Sequence, residues 1–245
     1  MTSEHRLPRI ATIATMPSRL ATFSKVVPAI RAQVDHTFVY LDGFSAVPEF
    51  LRGLDNVSVV RAEQAGDLHA SSRYLCIREL SEPAIIISVD DDIIYPPDYV
   101  ANLTRVLEHL QGKAVVGVHG RIFVPPHESY ARHASCLAFF SGTKQPQYMH
   151  ELGAGTCCFR SDMLDIDPRD WEHYNMEDIN LAIEAQRRGL HRVAIARPRH
   201  WLVPYEHNQP DSLWVKLNEN DTEQTKLMRM LMRMYLDDDR GSATV

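Results

Sequence analysis

The stretch that most constrains this chain is Ala84–Val100, AIIISVDDDIIYPPDYV. Ala84, Ile85, Ile86, Ile87 and Val89 form an apolar run too short for a membrane-spanning helix. Ile and Val at that density suit a strand buried on both faces. The strand ends on Asp90-Asp91-Asp92, after which Pro96-Pro97-Asp98 stops pairing and favours a helix start. Three carboxylates at the mouth of a buried strand repel one another, and a divalent cation is the natural remedy, since hard oxygen ligands suit Mg2+ or Mn2+. Alternate residues of a strand share a face, so Asp90 and Asp92 are expected to converge while Asp91 points elsewhere. A solvated acidic turn is the plainer alternative. After a wholly apolar strand the metal reading is preferred.

Upstream, Arg9–Thr15 (RIATIAT) reads as a strand with Met16-Pro17-Ser18 as its exit turn. Leu20, Phe23, Val27 and Ile30 recur at helical spacing between Arg19 and Gln33, with Pro28 as an expected kink. Thr37–Leu41 and Val57–Val60 are further strands, and His69–Leu80 a helix. A helix over Asp98–Gln111 and a strand over Ala114–Val118 continue the alternation. The pattern is α/β, built around a mostly parallel sheet. Open sheets of this kind bind ligands at the carboxyl ends of their strands. The polar residues at those ends are Thr15, Arg19, Asp42 and the Asp90–Asp92 cluster.

At 245 residues the chain can bury a substantial core. Its formal charge of −6, with no Lys/Arg block, argues against a nucleic-acid partner. The four cysteines have no CxxC spacing, which fits reduced thiols better than disulfides or a zinc site. With no apolar leader at the N-terminus, the expectation is a soluble, cytoplasmic protein.

The segment Pro125–His150 is poorly periodic and reads as a lid or substrate loop. Leu152–Phe159 (LGAGTCCF) has two explanations of equal standing. One is a tight turn into a strand, the other a close backbone approach to a bound sugar or phosphate. Asn175–Leu190 reads as a helix that opens on Glu177 and Asp178 and closes at Gly189. A carboxylate held charged beside a substrate hydroxyl is what a general base needs, although acidic residues favour helix starts in any case. Arg192–Ala196 is a last strand. Beyond it, His200 could complete a carboxylate metal site, or simply pack near Trp201. A Met- and Leu-rich helix over Asp221–Leu236 has three candidate surfaces: its own domain, a second subunit, or an anionic membrane. Packing on protein is favoured.

Taken together, IATIATMPSR, VYLDG, SVDDD and MEDINLAIEAQRRG resemble the GT-A glycosyltransferases, in particular the inverting family that includes bacterial polysaccharide synthases. The likeness spans roughly Arg9 to His200. It implies a single Rossmann-like GT-A domain over 1–245, with a nucleotide-sugar half (about 9–120), an acceptor and catalytic half (about 121–205) and a helical tail (206–245). Through it Thr15 and Arg19 are nucleotide-pocket residues, Asp42 reads the base edge, and Asp67 and Arg73 are a polar and basic pair near the nucleotide. Asp90 and Asp91 lie near ribose and metal, and Asp92 is the direct ligand of Mn2+ or Mg2+, with His200 as a third ligand beside Asp90. Asp178 is the catalytic base and Glu177 its neighbour toward the sugars. The implied partners are a nucleotide-sugar donor, foremost a UDP-sugar, and a glycan or lipid-linked acceptor, in bacterial surface polysaccharide synthesis at or near the inner membrane. The tail helix is then a candidate for peripheral membrane contact or a homodimer interface.

Three rivals are weighed. A phosphatase-type Asp nucleophile would end the first strand, not the fourth. A sugar-nucleotide pyrophosphorylase needs a glycine-rich basic loop where this chain has ATMPSR. A nucleotide- or glycan-binding module with a degenerate site would have no use for a base at Asp178.

Overall fold

The computed structural model describes residues 6–66, 68–205 and 220–242. Along the chain it builds β1 (Arg9–Thr15), α1 (Leu20–Arg31), β2 (His36–Leu41), β3 (Val57–Arg61), the single turn α2 (Ala62–Ala65) and a 3-10 helix over His69–Glu79. These lead into β4 (Ile85–Val89), β5 (Ile93–Ile94), α3 (Tyr99–His109), β6 (Ala114–Gly117) and β7 (Gly120–Phe123). The remainder is β8 (Ala134–Leu137), β9 (Gln147–Tyr148), β10 (Glu151–Leu152), β11 (Thr156–Arg160), α4 (Glu177–Arg187), β12 (His191–Ala194), β13 (Val203–Pro204) and α5 (Thr222–Ser242). Helix α1 runs through Pro28 rather than ending at it.

The principal sheet has the order β3-β2-β1-β4-β11-β6-β12-β9. Strands β3, β2, β1 and β4 are mutually parallel. Because β11 is antiparallel to both β4 and β6, β6 and its parallel neighbour β12 run with β4. The sheet is therefore mostly parallel. Side-chain alternation sends Ala11, Ile13, Val39, Leu41, Ile85 and Ile87 into one apolar layer with α1 and α3. Ile10, Ala14, Phe38, Tyr40 and Ile86 enter the opposite layer with the 3-10 helix and α4. Such two-sided burial is why β4 reads as an unbroken apolar run.

Two placements follow that matter for a site. The chain leaves β1 for β2 and β3 on one side and returns to β4 on the other, so the carboxyl ends of β1 and β4 flank a topological switch point. Reversed between β4 and β6, β11 begins at that same edge, with Thr156 opposite Val89.

Two expectations change. Pairing of β4 stops at Val89, so Asp90–Asp92 lie in a turn and strand alternation does not sort their side chains. Pro125–His150 is not a structureless loop: β8 pairs antiparallel with β7, and β9 closes the edge of the main sheet on β12. Its short strands lack the buried run that marks a strand in sequence.

The tail helix α5 packs on its own domain. Met228 and Leu231 are fully buried against Phe123, Ile179 and Ile183, which leaves no need for a membrane or second subunit to cover that face. Leu231→Ala is expected to cost about 2–5 kcal/mol, the usual range for a buried leucine. Urea unfolding would read this as a lower midpoint, and an unchanged midpoint would mean that the helix does not belong to the core. No helix among the described residues is long and apolar enough to cross a membrane.

Candidate active site

A cleft of about 580 Å3 opens at the carboxyl edge of the sheet. Asp90 enters it from the end of β4, and Glu177 and Asp178 from the first turn of α4. Arg73 comes from the 3-10 helix, while Gly153–Thr156 form a wall at the start of β11. The sequence-predicted Arg73, Asp90, Glu177 and Asp178 thus share one cavity.

Arg73 is 5% exposed and donates from Nη1 to Asp90 Oδ1 at 3.0 Å, with Nε on the Ala70 carbonyl at 3.2 Å. Burial opposes its charge, but Asp90 and, further off, Glu177 more than offset this and hold the guanidinium ionised. The backbone of β11 presses on the same carboxylate. A Cβ on Gly155 would lie 1.8 Å from Asp90 Oδ2, so only glycine admits the Asp90–Arg73 pair here. Of the two explanations for LGAGTCCF, the tight turn into a strand is present: Ala154–Gly155 turn into β11, and Gly155 there leaves room for a carboxylate of the protein itself.

Asp178 accepts from the Ala154 N–H at 2.7 Å. Burial pushes its carboxyl up to about 6; the Ala154 N–H and Arg121 pull it down, and Asp90 and Glu177 push it up. Glu177 is buried and accepts from the Ser71 hydroxyl, which ties α4 to the 3-10 helix.

The other expected donor-side residues gather at the switch point rather than in the cleft lining. The Asp42 N–H bonds the Thr15 carbonyl at 2.9 Å, and the Asp42 carboxylate meets His69 Nδ1 at 3.0 Å. Burial drives the Asp91 carboxyl up to about 7; Thr15 and Arg19 ease it, while Asp92 and Asp90 raise it further. Asp92 is held through its carbonyl, which accepts from the Tyr205 N–H at 2.8 Å. Asp67 lies outside the described residues.

His200 corrects an expectation. It is exposed, in a left-handed turn at φ 60°, with its N–H on the Phe140 carbonyl. Among the described residues no three His, Cys, Asp or Glu side chains group as a cation cage, so the Asp92–Asp90–His200 trio is not assembled. The aspartates still fit a cation. Burial and two like neighbours raise the Asp91 carboxyl against only partial relief from Thr15 and Arg19, and Mg2+ commonly takes one or two carboxylates and completes its shell with phosphate oxygens and water.

Sequence reasoning missed a second group, of which Arg121 and Tyr130 line the cleft and Glu151 is buried. Arg121 on β7 stands opposite Glu151 on β10, with Nε 3.7 Å from Oε1. Its guanidinium lies 4.5 Å from the Tyr130 ring centre, and the Tyr130 hydroxyl donates to Glu151 at 2.7 Å. Burial and Asp178 push the Glu151 carboxyl up to about 8. No motif marks these residues, because the pairing of two short strands brings them together.

Among solved structures, a mannosyltransferase from Pyrobaculum calidifontis, in complex with GDP-Man and Mn2+, superposes over 80% of this chain with a TM-score of 0.50 at 14% identity. The fold is that of the GT-A glycosyltransferases. The present chain matches 56% of the mannosyltransferase's length, less than two thirds of it. A looser likeness, covering 45% of this chain and 42% of the other with a TM-score of 0.36 and 21% identity, is to glucosyl-3-phosphoglycerate synthase from Mycobacterium tuberculosis. No protein-family profile matches the sequence, and no curated protein does.

Proposed function

We propose that the chain is a metal-dependent glycosyltransferase. It moves a sugar from a nucleotide-sugar donor, foremost a UDP-sugar, to an acceptor hydroxyl with inversion at the anomeric carbon. The observation that carries this reading is the shared cleft: Asp90 at the end of β4 and Asp178 at the start of α4 face one cavity.

Thr15, Arg19, Asp42 and Asp91, gathered around the switch point, are assigned to the nucleoside, and Arg73 to keeping Asp90 in place. Asp92 and Asp90 would hold Mn2+ or Mg2+, whose charge, when bound, offsets that of the departing nucleoside diphosphate. Asp178 is assigned as the base that takes the acceptor's proton. The Ala154 N–H fixes Oδ1 and so orients the carboxylate, and a carboxyl raised to about 6 binds a proton more readily than an ordinary aspartate while remaining ionised at neutral pH. Bacterial surface polysaccharide synthesis is the proposed setting, on the strength of the sequence resemblance.

The test is release of nucleoside diphosphate from a panel of sugar nucleotides with Mn2+. Cleavage of at least one of them, abolished by EDTA and restored by Mn2+, is expected. Cleavage of none, with tight nucleotide binding, would leave a binding module instead.

A further inference from the structure

We propose that the acceptor is a neutral saccharide, received in the cleft, whose lining includes Phe139, Phe140, Asn175 and Gln224. The inference rests on the transfer reaction proposed above and names the class of its second substrate.

Two features of the cleft lead to it. The first is charge. Its described lining carries two cations, Arg73 and Arg121, and three carboxylates, Asp90, Glu177 and Asp178. Both arginines are only 5% exposed and already engaged: Arg73 with Asp90, Arg121 with Glu151 and the Tyr130 ring. His119, also in the lining, is pushed down to about 4 by burial and Arg121, so its imidazole is neutral. With both guanidiniums buried, an acceptor carboxylate or phosphate would face Asp178 with no exposed side-chain cation in the described lining to pair with, a costly arrangement in a desolvated site.

The second feature is surface chemistry. Phe139 and Phe140 stand edge to face, with ring centres 5.4 Å apart, and Phe140 is 39% exposed. Their loop is preformed. The Ala138 carbonyl accepts from Arg197 at 3.0 Å, the Phe140 carbonyl from the His200 N–H at 2.8 Å, and a Cβ on Gly142 would lie 2.7 Å from the Arg199 nitrogen. Two planar amides complete the lining. Asn175 is pinned at φ 60° by Ala70 and Ser71. Gln224 is delivered by the first turn of α5, which Asp221 and Thr225 anchor to the backbone of Ala131 and Tyr130. A sugar ring presents an apolar C–H face and a rim of hydroxyls. Aromatic rings suit the first, and side-chain amides, which both donate and accept, suit the second.

Nucleoside diphosphate release is measured with Mn2+ and the sugar-nucleotide panel. The acceptors are water alone, then neutral disaccharides (cellobiose, maltose, lactose), then glucuronate and hexose phosphates. Neutral disaccharides are expected to accelerate release over water, and the anions are not. Phe140→Ala and Gln224→Ala should each raise the disaccharide KM about tenfold, about 1.4 kcal/mol, with Phe140→Trp restoring it. Faster release with the anions, no acceleration by any disaccharide, or an unaltered KM in both variants overturns the inference. Failure of the transfer reading looks different: no sugar nucleotide is cleaved with any acceptor, water included. In that event saturation-transfer NMR of the disaccharides decides the subsite alone. Binding lost in Phe140→Ala supports it, and no binding to the parent protein overturns it.

Discussion

Asp178→Asn is expected to lower kcat by about 10²–10⁴, the span of a lost general base, while donor affinity is retained. Asparagine matches aspartate in shape, and its carbonyl oxygen can still accept from the Ala154 N–H that now holds Oδ1 at 2.7 Å. Only the basicity goes. The same residue sets a pH dependence. With its carboxyl raised to about 6, chiefly by burial, the base is lost as pH falls through that value. In the parent protein kcat/KM should drop about tenfold per pH unit below it. Stability has the opposite sign. A carboxyl whose folded pKa is raised favours the fold while protonated, and that contribution is lost as pH rises through about 6. The asparagine variant should therefore melt no lower than the parent at pH above about 7, which separates loss of the base from loss of the fold. Thermal melts beside nucleotide titrations check both; parental turnover in the variant removes Asp178 from this role.

Gly155→Ala should be nearly as damaging although glycine has no chemistry of its own. The added Cβ would lie 1.8 Å from Asp90 Oδ2, well inside contact distance. Either the carboxylate swings away from Arg73, breaking the 3.0 Å pair, or β11 separates from β4, where Thr156 lies opposite Val89. Overpacking of this kind costs about 1–3 kcal/mol of stability. A misplacement of about an ångström at a positioning group can cost about a hundredfold in rate. Calorimetric donor binding with Mn2+ and urea unfolding measure the two effects. Parental donor affinity and activity in the alanine variant would show that Asp90 need not sit where Gly155 leaves room.

The elements legible in the sequence are those whose burial is two-sided or strictly periodic. Arg9–Thr15 is a strand over the residues predicted, and the Ile85–Val89 run declares itself because both faces are covered. Helix α4 was legible from its apolar spacing and Gly189, and the strand-end rule for Asp90 and the acidic helix start for Asp178 pointed to residues that line one cleft. What escaped depends on pairing between distant short segments. Arg121 and Glu151 face each other only because β7 and β10 pair, each too short to carry a pattern. His200 looked like a ligand by order in the chain, but a left-handed turn and its bond to Phe140 leave it exposed. Pairing of β4 stops at Val89, so its register does not extend to the aspartates.

The measurement that tests the central claim most directly is a crystal structure of the protein with UDP and Mn2+. The account predicts the diphosphate and metal against Asp90–Asp92, with the terminal phosphate opening onto the cleft that Asp178 lines. Nucleotide bound elsewhere, or a diphosphate with no open path to Asp178, would contradict it.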